Sequence, residues 1–234
     1  MGKNKREALS KPEASKLFTI ANPVSPISEQ YRTIRTNIQF AQQMDEIRSI
    51  VVTSSGPSEG KSTTAANLAV VFAQSGAKTL LVDADLRRPT SHLTFDLDNI
   101  KGLSSLLSVK RLSLDDVIQR TDMPNLFVLP SGPLSPHPSE LLASGRMKKV
   151  IRLLKDQYDF IIFDAPPVVN VTDAQVLSTQ VDGTIITVRE DITDKKMLEK
   201  SDSLMKQVGA NLLGVVYISK ISKQDYQGYY KYEE

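Results

Sequence analysis

Six short apolar runs recur along the chain, and each has the length of a buried β-strand. They are rich in β-branched residues and do not alternate between polar and apolar positions, which is typical of parallel strands covered on both faces. The runs lie at 49–53, 79–84, 125–129, 159–163, 184–188 and 212–218. We therefore expect a mostly parallel sheet.

Between these runs, apolar residues recur at helical spacing. The pattern predicts helices at 28–43, 61–74, 138–155, 172–180 and 194–208. Ser28 is a candidate N-cap for the first of them, and Gly76 follows the second as a C-cap glycine does. Strands that alternate with helices indicate an α/β fold with helices on both faces of the sheet.

A short loop of small and polar side chains joins the first run to its helix. Its sequence, SSGPSEGKS at 54–62, follows the P-loop pattern G-x-x-x-x-G-K-[ST], except that Ser55 stands where the pattern has its first glycine. The N–H groups of such a loop converge on phosphate oxygens, and the next helix adds its positive N-terminal dipole. We predict a P-loop NTPase fold with a nucleotide site at Ser55, Gly56, Pro57, Ser58, Glu59, Gly60, Lys61, Ser62 and Thr63.

The chemistry of the site is predicted from this loop and from two later strand ends. Lys61 is expected to neutralise phosphate oxygens of ATP, and the Ser62 hydroxyl to bind Mg²⁺. Asp83, Asp85 and Asp164 end two apolar runs, and in a parallel sheet such positions meet at one edge. We predict a Mg²⁺ site from Ser62 and the three aspartates, with Asp83 or Asp85 as the base and Asp85 preferred.

The two ends of the chain differ from the middle. Residues 1–27 are predicted to form a flexible arm that is basic at first and rich in Pro and Ser later, and the folded domain to span 28–222. Residues 223–234 are predicted to be a disordered tail, and four of the seven tyrosines lie there: Tyr226, Tyr229, Tyr230 and Tyr232. The chain has no cysteine, and its net charge of +2 gives no reason to expect nucleic acid as a partner.

With the P-loop at 55–62, the segment LLVDADLRRP at 80–89 and the strand end at 160–164, the sequence resembles the bacterial tyrosine kinases. More narrowly, it resembles the stand-alone cytoplasmic kinases of Gram-positive capsule and exopolysaccharide systems. The resemblance implies an ATP- and Mg²⁺-dependent protein-tyrosine kinase. It also implies that the kinase phosphorylates its own tail tyrosines in trans, acts on other protein tyrosines and regulates capsule or exopolysaccharide biosynthesis.

The same resemblance implies partners. Glu29, Arg32 and Arg35 match the E-x-x-R-x-x-R element through which the family packs into rings, here of about eight subunits, and we expect these side chains to be free for a neighbouring subunit. A transmembrane modulator with an activating cytoplasmic tail is implied as well. The chain is then cytoplasmic and recruited to the inner face of the plasma membrane.

Two alternatives use the same residues. The first is a positioning ATPase of the ParA/MinD kind, although such proteins carry a lysine five places before the P-loop lysine, where this chain has Gly56. The second is a nucleotide-dependent scaffold without enzymatic activity, in which ATP sets the oligomeric state and the tail binds partners.

Overall fold

The computed structural model describes residues 13–41 and 46–219. In these ranges the strands form one seven-stranded sheet in the order β3-β4-β2-β5-β1-β6-β7. All pairs are parallel except β3 with β4, so the predicted fold class is confirmed. The strands are β1 Ser49–Ser54, β2 Thr79–Asp83, β3 Gln119–Arg120, β4 Leu126–Leu129, β5 Phe160–Asp164, β6 Gly183–Arg189 and β7 Leu212–Ile218.

Helices cover both faces of the sheet. Residues of α2 and α3 pack in the hydrophobic core of one face, and residues of α5, α6, α7, α8 and α9 pack in the core of the other. The helices are α1 Phe18–Ala21, α2 Pro26–Phe40, α3 Lys61–Gln74, α4 Ser91–Thr94, α5 Leu103–Ser108, α6 Pro138–Ala143, α7 Gly145–Lys155, α8 Asp173–Ser178 and α9 Lys195–Gln207, with a 3₁₀ turn at Leu114–Asp116.

The central strands explain why the apolar runs in the sequence do not alternate. Every residue of β1, β2 and β5 is buried, because each strand has a neighbour on both sides and helices above and below. On one face the Phe72 ring of α3 stacks on Phe160 of β5 with 3.8 Å between ring centroids. The α3 helix, which follows the P-loop, is thus fixed against the middle of the sheet.

Two helix boundaries differ from the prediction. The first long helix begins at Pro26, because Ser25 and not Ser28 is its N-cap: the Ser25 hydroxyl accepts a hydrogen bond from the Ser28 amide at 3.3 Å. The predicted helix at 138–155 is interrupted at Ser144, whose extended backbone ends α6 and whose side chain caps α7. Apolar spacing alone does not show such a break.

The prediction of a flexible arm over residues 1–27 is wrong for the second half of that range, because residues of α1 pack on the domain. Thr19 is fully buried, and its backbone N–H and hydroxyl both donate to Asn67 Oδ1 of α3, at 3.0 and 2.9 Å. The folded domain therefore begins before residue 28. Residues 1–12 and the predicted tail at 223–234 lie outside the described residues. Within the described ranges, the helices are all too short or too polar to cross a lipid bilayer.

Candidate nucleotide site

The order of the strands brings the three predicted aspartates to the P-loop. Strand β1 runs into the loop, β5 lies beside β1, and β2 lies beside β5. Asp83 at the end of β2 is in register with Asp164 at the end of β5, and the amide of Ala84 donates to the Asp164 carbonyl at 2.9 Å. These residues and the P-loop thus share the carboxyl edge of the sheet, where ligands of such sheets bind.

The P-loop has a backbone shape that its small residues make possible. Ser58 and Gly60 have positive φ angles of 63° and 86°. Gly60 is required for its positive φ; a Cβ there would also lie 2.5 Å from Ile218 Cδ1, at the far end of a side chain that would have to move aside. Ser55 lies outside the left-handed region, and its amide donates to Glu59 Oε2 at 2.9 Å. A glycine is therefore not needed at position 55.

Lys61 lies at the centre of the site. Its Nζ donates to Asp85 Oδ2 at 2.8 Å, to Ser62 Oγ at 3.1 Å and to Asp164 Oδ1 at 3.3 Å. Burial lowers the pKa of Lys61, but the charges of Asp164 and Asp85 outweigh it and raise that pKa above its ordinary value. The lysine therefore remains charged.

The carboxylates outnumber the cations in this cluster. Burial raises the pKa of Asp164 to about 6. The charge of Lys61 lowers that pKa, but the negative charges of Asp83 and Asp85 raise it. Burial also raises the pKa of Asp83. Three buried carboxylates with one ammonium leave the site short of positive charge, and this deficit fits a divalent cation.

The direct protein ligands of such a cation are few. Across 13–41 and 46–219, no three Asp, Glu, His or Cys side chains are arranged to hold a metal ion by themselves. Mg²⁺ usually keeps several waters and takes one or two carboxylates together with substrate phosphates. The residues present fit that mode, with the Ser62 hydroxyl and Asp164 at the P-loop, and they do not form an all-aspartate cage.

Asp83 and Asp85, two positions apart, have different neighbours. Asp83 Oδ2 accepts hydrogen bonds from the Ser91 hydroxyl at 2.7 Å, the Ser91 amide at 2.9 Å and the Thr90 amide at 3.0 Å. Asp85 directs Oδ2 to Lys61, and its Oδ1 accepts from the Arg88 amide at 3.0 Å. Asp83 is thus held by neutral donors, whereas Asp85 is committed to the P-loop lysine.

Sequence reasoning missed a buried aspartate that fixes the segment after Asp85. Arg87 donates through Nε and Nη2 to the two carboxylate oxygens of Asp173, at 2.9 and 3.0 Å, and Ser139 donates to the same carboxylate at 2.5 Å. Asp173 is fully buried at the start of α8. Its position shortly after the Asp164 strand is visible in the sequence, but the pairing with Arg87 depends on the tertiary fold.

The three charged residues of α2 already have partners within the chain. Arg32 pairs with Glu29 and donates to the Pro23 carbonyl at 2.7 Å. Arg35 Nη1 donates to the carbonyl of Val71 in α3 at 2.8 Å. In the single chain Arg35 is thus tied to α3, and the expectation that these three residues bind a neighbouring subunit stays a prediction. The four tail tyrosines, Tyr226, Tyr229, Tyr230 and Tyr232, lie outside the described residues.

Comparisons with known proteins agree with this geometry. The family model AAA_31, described as an AAA domain, matches residues 47–209. "Tyrosine-protein kinase YwqD" of Bacillus subtilis is 44% identical over 95% of this chain and 96% of its own length. "Putative tyrosine-protein kinase CapB" of Staphylococcus aureus is 40% identical over 96% of this chain and 98% of its own. The crystal structure of the chimerical protein CapA2B2 has a TM-score of 0.84 and 43% identity, and covers 91% of this chain and 94% of that one.

A positioning ATPase is a more distant match. The septum site-determining protein MinD of Pyrococcus horikoshii, solved with Mg-ADP, has a TM-score of 0.60 and 26% identity. The match covers 73% of this chain and 70% of the MinD chain. The sequence identity and the TM-score are both higher for the tyrosine kinases.

Proposed function

Because this chain belongs to the bacterial tyrosine kinases and is a nucleotide-binding protein-tyrosine kinase, we propose that it transfers the γ-phosphoryl group of ATP to tyrosines of its own tail. One observation carries the proposal. Lys61 lies between Asp85 and Asp164 at the carboxyl edge of the sheet, directly after a loop shaped for phosphate. When ATP binds, its phosphates offer Lys61 a second set of anionic partners, and the ammonium stabilises the charge that develops on the γ-phosphoryl oxygens.

The metal requirement follows from the charge deficit of the site. A bound Mg²⁺ would supply positive charge to the phosphates of ATP. Ser62 would hold it through the side-chain hydroxyl, and Asp164 and Asp85 would hold its water ligands. The charge balance supports this assignment, because burial and the charges of Asp83 and Asp85 raise the pKa of Asp164 more than Lys61 lowers it.

Asp83 is the better candidate for the base that takes the tyrosyl proton, in place of the Asp85 preferred from sequence. A general base works best when its pKa lies near the working pH, and burial raises the pKa of Asp83. Three donors hold its Oδ2, which fixes the carboxylate, while Oδ1 accepts only a 3.3 Å contact from the Asp85 amide among the hydrogen bonds of the described chain. Asp85 is instead paired with Lys61.

The tail is a reasonable substrate because of where the described chain ends. Strand β7 runs parallel to β6 and ends at Ile218, whose side chain faces Gly60 of the P-loop. The described chain therefore ends at the edge that carries the nucleotide site, and Tyr226, Tyr229, Tyr230 and Tyr232 follow later in the sequence. We propose transfer in trans, between copies that associate through α2 with Glu29, Arg32 and Arg35 in a ring of about eight.

The cellular setting is also part of the proposal. We propose that a transmembrane modulator recruits the protein to the inner face of the plasma membrane and activates it, and that the kinase regulates capsule or exopolysaccharide biosynthesis. The support is the likeness over nearly the whole chain to the kinases YwqD and CapB.

Incubation with γ-labelled ATP and Mg²⁺ tests the activity. Phosphotyrosine in the tail is the expected product; release of free phosphate alone would instead support a positioning ATPase, and neither product would support a scaffold. A variant with phenylalanine at all four tail positions should lose most of the label. Phe substitution at Tyr217, which lies in β7 and is 62% exposed, is the matched control and should leave labelling unchanged.

A further inference from the structure

We propose that Glu59 is a positioning residue that holds the P-loop in its phosphate-binding shape and couples it to the turn between β6 and α9. This inference rests on the proposed function only in its use of the nucleotide site. The side chain of Glu59 lies inside the loop: the residue is 3% exposed although it belongs to a surface loop of polar residues.

The Glu59 carboxylate is bound by the first half of the loop. Oε2 accepts a hydrogen bond from the Ser55 amide at 2.9 Å, and the neighbouring Gly56 amide lowers the pKa of the carboxylate. A Cβ on Gly56 would lie 3.2 Å from Glu59 Oε1, so the small residue at position 56 makes room for the carboxylate. Hydrogen bonds to an ionised acceptor are roughly twice as strong as neutral ones. Glu59 therefore occupies the Ser55 amide and leaves the amides at the start of α3 for phosphate.

Two further contacts tie this arrangement to the β6–α9 turn. The Thr193 side chain lies close enough to the Glu59 carboxylate to lower its pKa, and the Thr193 hydroxyl oxygen accepts a hydrogen bond from the Arg189 amide at 2.8 Å. Arg189 Nη1 donates to the Ser58 carbonyl at 3.2 Å. Ser58 has a positive φ of 63°, which costs energy for a residue with a Cβ, and the hydrogen bond from Arg189 helps to hold this conformation. The turn therefore supports the P-loop at two successive residues.

A carboxylate beside bound phosphate would otherwise be unfavourable, since like charges repel. This gives two opposite expectations for its removal. If Glu59 positions the loop, Glu59→Ala weakens nucleotide binding, because the loop loses its internal acceptor. If the carboxylate only repels phosphate, the same substitution strengthens binding.

The test measures the Kd of a fluorescent ADP analogue with Mg²⁺ on the full chain, together with KM for ATP and kcat. For Glu59→Ala we expect Kd and KM to rise about tenfold while kcat changes less than about threefold, since the lost contacts shape ground-state binding. Glu59→Gln, which keeps one acceptor oxygen, should fall between this variant and the original chain. Thr193→Val should raise Kd by about threefold, and Thr193→Ser should restore it.

Glu199→Ala on the exposed face of α9 is the matched control and should change none of these values. Tighter or unchanged ADP binding by Glu59→Ala overturns the proposal, as does a loss of kcat without a change in KM. If Glu59→Ala does not fold, an unchanged Kd in both Glu59→Gln and Thr193→Val overturns it equally. Because ADP binding needs no phosphoryl transfer, the result is independent of whether the tail is the substrate.

Discussion

The two ends of β1 each carry a lysine paired with an aspartate, but the two clusters differ in their balance of charge. At the carboxyl end, Lys61 forms ion pairs with Asp85 and Asp164, and Asp83 adds a third buried carboxylate nearby. At the amino end, the single carboxylate of Asp182 accepts hydrogen bonds from Lys155 Nζ at 2.6 Å, from the Ser49 amide and hydroxyl, both at 2.9 Å, and from the Arg48 amide at 3.0 Å.

The pKa shifts of the two aspartates have opposite signs for this reason. Burial raises the pKa of Asp182, but the hydrogen bonds from Lys155, Arg48 and Ser49 outweigh it and hold that pKa below its ordinary value. Burial raises the pKa of Asp164 to about 6, and Lys61 does not offset it. A cluster that only stabilises the fold is fully compensated within the chain. A cluster that is short of positive charge indicates a ligand site.

The largest effect is expected for Lys61→Met, which removes the cation from the uncompensated cluster. Phosphotransfer should fall by about a hundredfold or more, because a preorganised charge at the transferred phosphoryl group is lost. Labelling of the tail by γ-labelled ATP measures it. Lys195→Met, at an exposed pair on α9, is the control and should retain activity. Retention of full activity by Lys61→Met would show that the cluster is structural.

The next effect separates Asp83 from Asp85. Asp83→Asn should lower kcat by about a hundredfold with little change in nucleotide affinity, because an amide cannot take the tyrosyl proton but can still accept the bonds from Thr90 and Ser91. Asp85→Asn should mainly weaken Mg-nucleotide binding. Equilibrium binding and steady-state kinetics on both variants decide this. The reverse pattern would return the role of base to Asp85.

At the other end of β1, Asp182→Asn should leave the activity per folded molecule unchanged and lower the free energy of unfolding by about 2 kcal/mol. The pKa of Asp182 is lower in the folded chain than its ordinary value of 3.8. Its contribution is therefore present above that pH and is lost as the pH falls through the lowered value. Urea unfolding should show the same loss at about pH 5 and about pH 7. A loss that grew toward low pH would contradict the assignment.

The smallest effect is the pH dependence of the nucleotide-free protein at Asp164. Its pKa is raised from 3.8 to about 6 in the folded chain, so its stabilising contribution is present below the lower value and is lost as the pH rises through the higher one. Relative to Asp164→Asn, the original chain should be more stable at about pH 4.5 than at about pH 7. Urea unfolding of both proteins without nucleotide or metal measures it. An equal difference at the two pH values would contradict the raised pKa.

Much of the carboxyl cluster was predictable because its signals are local. A strand, a loop of small residues and a helix follow one another at 49–74, and Asp83 and Asp164 directly end apolar runs. The parallel topology then places both ends at one edge. The fold class depends on the same repeating pattern and was confirmed.

The parts that were not predicted depend on contacts between distant residues. Asp182 does not end an apolar run, and its hydrogen-bond partners lie 27 or more positions away in the sequence. Thr19 is buried against α3, where Asn67 accepts its hydrogen bonds. Composition does not show such a contact and therefore suggested an arm there. Glu59 was assigned to the nucleotide site as one member of the loop, but its inward direction follows from the loop's backbone shape.

One measurement tests the central claim most directly. The purified full chain is incubated with ATP and Mg²⁺, and its phosphorylated sites are mapped by mass spectrometry beside the Asp83→Asn and Lys61→Met variants. We predict phosphate on Tyr226, Tyr229, Tyr230 or Tyr232 in the original chain and almost none in either variant. Unmodified tail tyrosines in the presence of ATP hydrolysis, or equal modification of all three proteins, would contradict the proposal that this site phosphorylates the tail.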